Sequence, residues 1–322
     1  MQWAIALTIT CVAAHAEPEA TQTFQLHPGW NAIFLEVQPE PREPASVFDG
    51  LPVESVWTWL DRESRVEFIQ NPGEGLWDQP GWHAYFSAPK QAFLTNLFAV
   101  LGNQAYLIKL SGNENVNWEI KGCPLMRKIN WTSDSFNLVG FHLNPDTTPT
   151  FEAFFAPSSA HAGQAMYRLN RQGIWEFVED PVRATLHSGE AYCVFCEGSS
   201  DYQGSLQVEL PMFDGLNYGA ILNEQTVTIR NLSEITRIVT LTLSSSAVVL
   251  AYRNYDQSSG FFTWPPLEDM PPVILGPGKQ TNVRIAVRRE AMEIGVAESV
   301  LKISDDSGIQ ILVPVSAERI GQ

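Results

Sequence analysis

Hydrophobic and polar positions alternate along much of the chain, in short runs that end at Gly, Pro, Asn or Asp. Residues 226–231 and 240–243 alternate at every step, which is the period of a strand with one buried face. Helical periodicity is confined to short stretches, and we expect single helical turns at residues 45–51 and 288–295. The pattern predicts an all-β protein.

The apolar pattern of the first strand returns further along the chain. Trp30 is followed by Asn, an apolar run and Pro39, and Phe136 is followed by Asn, an apolar run and Pro145. Both pairs of landmarks are separated by 106 positions. A fixed offset of this kind indicates an internal duplication of one structural unit.

The duplication divides the N-terminal part into repeat one, residues 17–126, and repeat two, residues 127–211. In repeat one, a strand at 55–60 is predicted to pair with a strand at 65–70 as a hairpin. Repeat one has about 23 more residues than repeat two, and we place them at 71–92, which is rich in Gly, Pro and aromatic residues. Insertions into a duplicated scaffold often form functional loops.

Residues 212–318 contain short alternating strands separated by Gly, Pro, Asn and Asp, a spacing typical of β-sandwiches. This segment resembles the immunoglobulin-like sandwich of the abnormal-spindle and major-sperm-protein type, which is widespread in bacterial surface proteins. The residues that carry the resemblance are Thr228–Ser233, Leu275–Thr281, Gly295 and Leu301–Asp306. The resemblance implies a non-catalytic spacer or adhesion domain.

Pro28-Gly29-Trp30-Asn31 and the apolar strand that follows also resemble a Gly-Trp-Asn β-repeat. Such repeats occur in large secreted bacterial proteins, sometimes beside lectin-like domains. The resemblance implies an extracellular location. The predicted fold is therefore a duplicated small β-domain followed by an immunoglobulin-like β-sandwich.

The N-terminus has the pattern of a secretory signal peptide, residues 1–16. An apolar run from Trp3 to Ala14 precedes Ala14-His15-Ala16, a small-x-small cleavage site. The run is too short to span a bilayer, and no later segment is long and apolar enough. We expect the mature chain to be exported, extracellular or on the cell surface, without a membrane span.

The net charge of the chain limits which classes of binding partner are expected. The 36 acidic and 20 basic residues give a formal net charge of −16, spread along the chain. Binding to nucleic acid needs a basic face, which this composition does not favour. The expected partners are an extracellular glycan or a surface protein.

Cys193 and Cys196 form a C-x-x-C pair, which in other contexts binds zinc or exchanges disulfides. Here the pair lies in a strand-like run, where residues three apart face opposite sides. We interpret both as small apolar residues, although a disulfide between Cys123 and one of them would suit an exported protein. Zinc needs four ligands, and the histidines are not spaced to complete a set. No metal or cofactor is predicted.

Catalytic signatures are missing from the sequence: it has no G-x-S-x-G, P-loop or dinucleotide-binding motif. Glu67 and Glu176 occupy equivalent predicted strand positions, which favours an outward scaffold role over catalysis. We expect the protein not to be an enzyme.

Aromatic residues cluster in and beside the predicted insertion. They are Trp57, Trp59, Trp77, Trp82, Tyr85 and Phe86. Exposed aromatic faces stack on sugar rings, and Asp78 and Gln79 lie between two of these indoles as partners for hydroxyl groups. The candidate ligand-binding residues are Trp77, Asp78, Gln79, Trp82 and Tyr85. A local hydrophobic core that pins a long loop is the competing interpretation.

Two hypotheses follow for function. The first is a non-catalytic surface or matrix module that binds glycan or protein, or acts as a spacer. The second is a hydrolase of extracellular polysaccharide, whose paired carboxylates would leave no recognisable sequence signature.

Overall fold

A computed structural model describes residues 18–60, 81–212 and 215–321. Within these ranges nearly all regular structure is β-strand, so the chain is an all-β protein as the alternating pattern predicts. The helices are short, and none in the described ranges has the length and apolar character needed to cross a bilayer.

In residues 18–60 and 81–126, repeat one has seven strands and one α-helical turn. Its elements are β1 (Ala20–Leu26), β2 (Gly29–Leu35), β3 (Val37–Gln38), α1 (Pro44–Val47), β4 (Val53–Trp59), β5 (Trp82–Phe86), a 3₁₀ helix (Pro89–Leu94), β6 (Gln104–Leu110) and β7 (Val116–Pro124). The main sheet has the order β2-β6-β4-β5, and β7 pairs with both β1 and β3. Ile33, Val56 and Ile108 lie on the inner face of the main sheet and form its core with β1 and β7.

Repeat two contains a sheet of the same design. Its elements are β8 (Ser135–Gly140), α2 (Phe151–Phe155), β9 (Met166–Leu169), β10 (Trp175–Phe177) and β11 (Ala191–Cys196). The strand order is β8-β11-β9-β10, which repeats the order β2-β6-β4-β5 element by element. Register agrees as well, since Trp30 pairs with Lys109 and its counterpart Phe136 pairs with Phe195. The two sheets therefore share strand order and register.

The hairpin predicted between 55–60 and 65–70 involves residues outside the described ranges. Among the described residues, β4 pairs with β5 on one side, with Trp59 opposite Trp82, and with β6 on the other. Strand β5 corresponds to β10 of repeat two and belongs to the scaffold, whereas the sequence assigned it to the insertion 71–92. The extra residues of repeat one lie mainly between β4 and β5, a stretch that includes residues 61–80 outside the described ranges. Alternation in 65–70 had suggested a strand from local pattern alone.

The C-terminal part is a sandwich of two sheets. Its strands are β12 (Leu206–Glu209), β13 (Leu216–Asn217), β14 (Glu224–Asn231), β15 (Arg237–Leu243), β16 (Leu250–Tyr252), β17 (Asn254–Asp256), β18 (Phe261–Thr263), β19 (Val273–Leu275), β20 (Gln280–Val287), β21 (Gly295–Asp305) and β22 (Gln310–Arg319), with 3₁₀ helices at Leu267–Asp269 and Arg289–Ala291. The sheets have the orders β12-β14-β20-β16 and β13-β22-β21-β15-β19. Their inner faces share one apolar core, as in immunoglobulin-like sandwiches. β12 pairs with β14 and so belongs to the sandwich, although the sequence placed it in repeat two.

Two hydrophobic cores, rather than three, organise the molecule. Repeat one has its own core. The core of repeat two continues into the sandwich through residues such as Phe154, Tyr202 and Ile309. Repeat two and the sandwich therefore share one buried apolar cluster, to which repeat one is docked.

The two repeats meet at equivalent positions. Phe34 and Gly140 are 106 residues apart, and a Cβ on Gly140 would lie 2.1 Å from the Phe34 Cβ. Glu36 and His142 share the same offset, and their Oε2 and Nδ1 atoms are 2.9 Å apart. The ring Nε2 lies 2.7 Å from Asn103 Oδ1, an orientation fixed because the Asn103 amide donates to the Arg127 carbonyl. Both ring nitrogens thus lie within hydrogen-bond distance of an oxygen atom of repeat one.

Candidate functional site

The candidate site lies on the outer face of the main sheet of repeat one. Successive residues of a strand point to opposite faces, so Trp30 and Trp57 lie opposite the inward Ile33 and Val56. Trp57 of β4 is paired with Leu107 of β6. Trp82 of the edge strand β5 is paired with Trp59, two residues further along β4. Four indoles, those of Trp30, Trp57, Trp59 and Trp82, therefore share one face of the sheet.

These side chains line a shallow open cleft of about 310 Å³. Its lining residues are Trp30, Trp57, Trp82 and Leu107, each partly exposed. Partly exposed indoles in a concave apolar surface are typical of binding sites rather than of a closed core.

Hydrogen bonds and ring contacts with neighbouring side chains hold the cleft indoles in position. The Trp57 indole Nε1 donates to Ser55 Oγ over 3.0 Å, and its ring meets Phe86 edge-on with centroids 5.5 Å apart. Trp82 meets Trp59 edge-on at 5.6 Å. Gly81 lies against Trp59 at φ +109, where a Cβ would approach the indole to 2.6 Å, so glycine is required at this close contact. The cleft is therefore held in shape by ring contacts and one buried hydroxyl.

The outer edge of β5 is already occupied by side chains. The amide of Ala84 donates to Asn96 Oδ1 over 2.6 Å, and the amide of Phe86 donates to Thr95 Oγ1 over 3.1 Å. A partner peptide that adds a strand to a sheet needs these donors to be available. Strand addition at this edge is therefore blocked, and the ligand of the cleft must use the ring faces.

The charge next to the cleft is balanced. Lys109, paired with Trp30 across the strands, makes a salt bridge with Glu54 at 2.6 Å. Both side chains are about half exposed, so the pair is solvated and of small energetic weight. The cleft therefore presents apolar ring faces beside a neutral pair, which suits an uncharged ligand.

Of the five predicted site residues, one lines the cleft, one lies on the opposite face of its strand, and three are outside the described residues. Trp82 lines the cleft. Tyr85 lies on the opposite face of β5 and packs against the core of repeat one, so it does not share a surface with Trp82. Trp77, Asp78 and Gln79 lie outside the described residues.

Sequence reasoning placed Trp57 in the aromatic cluster with Trp82 but not among the candidate binding residues, and it missed Trp30 and Leu107. It searched for the site within a loop, whereas the cleft is built from a sheet face that joins distant strands. The available signal was the period-two alternation, which places Trp30 and Trp57 on the side of their strands opposite the apolar core positions.

The C-x-x-C pair does not form a redox or metal site. Cys193 and Cys196 are free thiols on opposite faces of β11, Cys196 buried in the core and Cys193 on the outer face. Burial raises the pKa of the Cys193 thiol to about 12, so the reactive thiolate is scarce near neutral pH. Across 18–60, 81–212 and 215–321, no three His, Cys, Asp or Glu side chains are grouped to hold a metal ion.

A Ser–His contact occurs inside repeat two. Ser158 Oγ and His161 Nδ1 are 2.7 Å apart, and His161 is fully buried against the ring of Trp131. Burial lowers the pKa of His161 to about 4. Because the pair is closed off from solvent, it is a structural contact of the shared core.

A larger groove of about 1270 Å³ runs between repeat one and the sandwich. Its walls include Met126, Leu210 and Leu312, with Arg127 and Glu318 of opposite charge. Among the described residues that line it there is no Trp, Tyr or Phe. The groove is a mixed seam between domains and offers no stacking surface.

No protein-family model and no curated protein matches the chain. Among solved structures, it is similar to the ASH / PapD-like domain of human CEP192 (PapD-like domain 7), with 9% identity, a TM-score of 0.25, and coverage of 37% of this chain and 87% of that chain. It is also similar to the X-ray structure of the Northeast Structural Genomics Consortium target SoR45, with 12% identity, a TM-score of 0.18, and coverage of 36% and 89%. Scores this low assign neither a family nor a function to the chain.

Proposed function

We propose that this protein is an exported, non-catalytic module that binds glycans through the cleft lined by Trp30, Trp57, Trp82 and Leu107. The observation that carries the proposal is the presence of three partly exposed indoles, from β2, β4 and β5 of one sheet, around one open cleft. The negative face of an indole attracts the polarised C–H groups of a pyranose ring. Sugars with equatorial linkages, such as β-1,4-linked glucose, expose such C–H groups on both faces.

The surroundings of the cleft favour a sugar over a peptide strand. The β5 edge is covered by Asn96 and Thr95, and the neighbouring Lys109 is neutralised by Glu54. The signal-peptide pattern at residues 1–16 supports export, which would place the cleft where extracellular glycans occur.

The alternative is a hydrolase of extracellular polysaccharide. Glycoside hydrolysis usually requires two carboxyl groups about 5–10 Å apart across the scissile bond. Among the described residues, those that line the cleft are three tryptophans and a leucine, none of which supplies a carboxylate. We therefore favour binding without cleavage.

The test uses the full chain without residues 1–16. A glycan array, followed by calorimetric titration with cellohexaose, should detect binding, and Trp82→Ala should weaken it by about 1–3 kcal/mol because one stacking face is lost. Trp264→Ala, which removes a partly exposed indole from the sandwich, is the matched control and should bind normally.

Three results would contradict the proposal. They are absence of glycan binding on the array, unchanged binding by Trp82→Ala, and an equal loss in Trp264→Ala. A rise in reducing ends during incubation with β-glucan would instead support the hydrolase alternative.

A further inference from the structure

Repeat two reaches the cleft of repeat one at a single glycine. Gly173 lies in the turn between β9 and β10, and its backbone faces the indole of Trp30. A Cβ at this position would lie 2.8 Å from Trp30 Cδ1 and 3.3 Å from Trp30 Cβ and Cγ. The residue also has φ +79, a conformation that glycine adopts readily. The turn therefore presses directly against one of the cleft tryptophans.

The turn itself is well fixed. Asn170 Oδ1 accepts hydrogen bonds from the amides of Gln172 and Ile174, both at 2.9 Å. The amide of Gly173 donates to the Asn170 carbonyl over 3.0 Å. A turn with this many internal bonds forms a firm surface for the indole.

The interface between the repeats fixes the position of this turn relative to Trp30. The Phe34 amide donates to the Gly189 carbonyl over 2.8 Å, next to the isolated bridge between Ile33 and Glu190. These bonds join β2, the strand that carries Trp30, to repeat two. The indole is thus held between its own strand and the other repeat.

We propose that the glycan site is composite, with repeat two forming one wall and Gly173 acting as a positioning residue for Trp30. This inference rests on the function proposed above. It adds that stacking requires the two repeats in their observed relation, because Trp30 is oriented by a residue from the second repeat. A side chain at Gly173 would displace the indole and misalign one of the three stacking faces.

The test compares Gly173→Ala with Gly163→Ala. Gly163 has φ +75 and no atom within 4 Å of a Cβ, so it carries the same backbone penalty without touching an indole. Calorimetric titration with cellohexaose should show at least about a tenfold loss of affinity for Gly173→Ala, equivalent to about 1.4 kcal/mol. Gly163→Ala should bind like the wild type.

A second readout does not depend on any ligand. The protein is labelled with 5-fluorotryptophan, and the ¹⁹F resonance of Trp30 is identified by its disappearance in Trp30→Phe. Gly173→Ala should shift this resonance, whereas Gly163→Ala should leave it in place. In a Trp30→Ala background, Gly173→Ala should destabilise the protein less than it does in the wild type, because the closest contact, with Trp30 Cδ1, is gone.

The outcomes separate this inference from the proposed function. Loss of affinity in Gly173→Ala alone, with a shifted Trp30 resonance, supports the composite site. Normal affinity in Gly173→Ala overturns it, even if Trp82→Ala fails to bind. If the wild type does not bind cellohexaose, an unmoved Trp30 resonance in Gly173→Ala overturns the positioning role, and a shifted one upholds that role while the glycan function fails.

Discussion

The outer faces of the two four-stranded sheets share strand order and register, yet they present different surfaces. The cleft residues of repeat one and their counterparts in repeat two are Trp30 and Phe136, Trp57 and Tyr167, Trp82 and Trp175, and Leu107 and Cys193. In repeat two the rings pack on one another, with the Phe136 centroid 5.5 Å from Tyr167 and 5.2 Å from Phe195. In repeat one Trp57 and Trp82 make similar edge-on contacts with Phe86 and Trp59, but together with Trp30 they also line an open cleft.

One exchange accounts for much of this difference. The position of Phe195 in repeat two is held by Lys109 in repeat one, where the long side chain bridges to Glu54 and leaves Trp30 without that ring contact. Side-chain choice at matching positions therefore gives the two faces different shapes. Phe136 and Phe177 of repeat two are about half exposed, whereas the indoles of repeat one are less exposed and line a cleft. We assign the proposed glycan site to the face that carries the cleft.

The largest expected effect comes from the point where the two repeats touch. Gly140→Ala should lower the free energy of unfolding by about 3 kcal/mol, because the new methyl would meet the Phe34 Cβ, which cannot rotate away. Chemical denaturation measures the change. Gly276→Ala is the control, since its Cβ would find only the flexible Lys279 side chain at 3.6 Å. Equal stability of the two variants would show that the repeats do not meet closely at this point.

The two cores should also differ in their response to acid. His161 in the shared core has a pKa of about 4, against about 6.5 in the unfolded chain, so the folded state binds fewer protons between these values. The stability that this neutral histidine provides is complete above pH 6.5 and is lost as pH falls towards 4, by about 2 kcal/mol at pH 5. Denaturation of the wild type and of His161→Gln across this window measures it. A variant with the same pH slope as the wild type would exclude His161 as the source.

The strands of the two sheets were easier to predict from the sequence than the contacts between them. The spacing of Trp30 and Phe136 predicted that β2 and β8 are equivalent strands, because a strand that opens at a turn leaves a recognisable local pattern. The pairing of β4 with β5 was not predicted, since local pattern does not choose between alternating segments that could lie at the same edge. The contact between Gly173 and Trp30 joins the two repeats. The sequence around either residue gives no indication that the other lies nearby.

A smaller effect should come from the charged contact between the repeats. Glu36→Gln should destabilise the protein by about 1.5 kcal/mol, because the buried carboxylate accepts a hydrogen bond from His142 and an amide is a weaker partner. Glu40→Gln removes an exposed partner of Arg42 and should change stability by less than about 0.5 kcal/mol. Thermal unfolding of both variants at one pH provides the measurement, and a loss in Glu40→Gln as large as that in Glu36→Gln would contradict the prediction.

The proposed glycan site lies on one of two equivalent sheet faces, and the most direct test asks which of the two faces binds sugar. Calorimetric titration of Trp57→Ala and Tyr167→Ala with cellohexaose compares equivalent positions on two sheet faces. Trp57 lies on the cleft face of repeat one, and Tyr167 lies on the matching face of repeat two. Trp57→Ala should weaken binding at least about tenfold, while Tyr167→Ala should keep the dissociation constant within about twofold of the wild type. Retained binding in Trp57→Ala, or an equal loss in Tyr167→Ala, would contradict the assignment of the glycan site to repeat one.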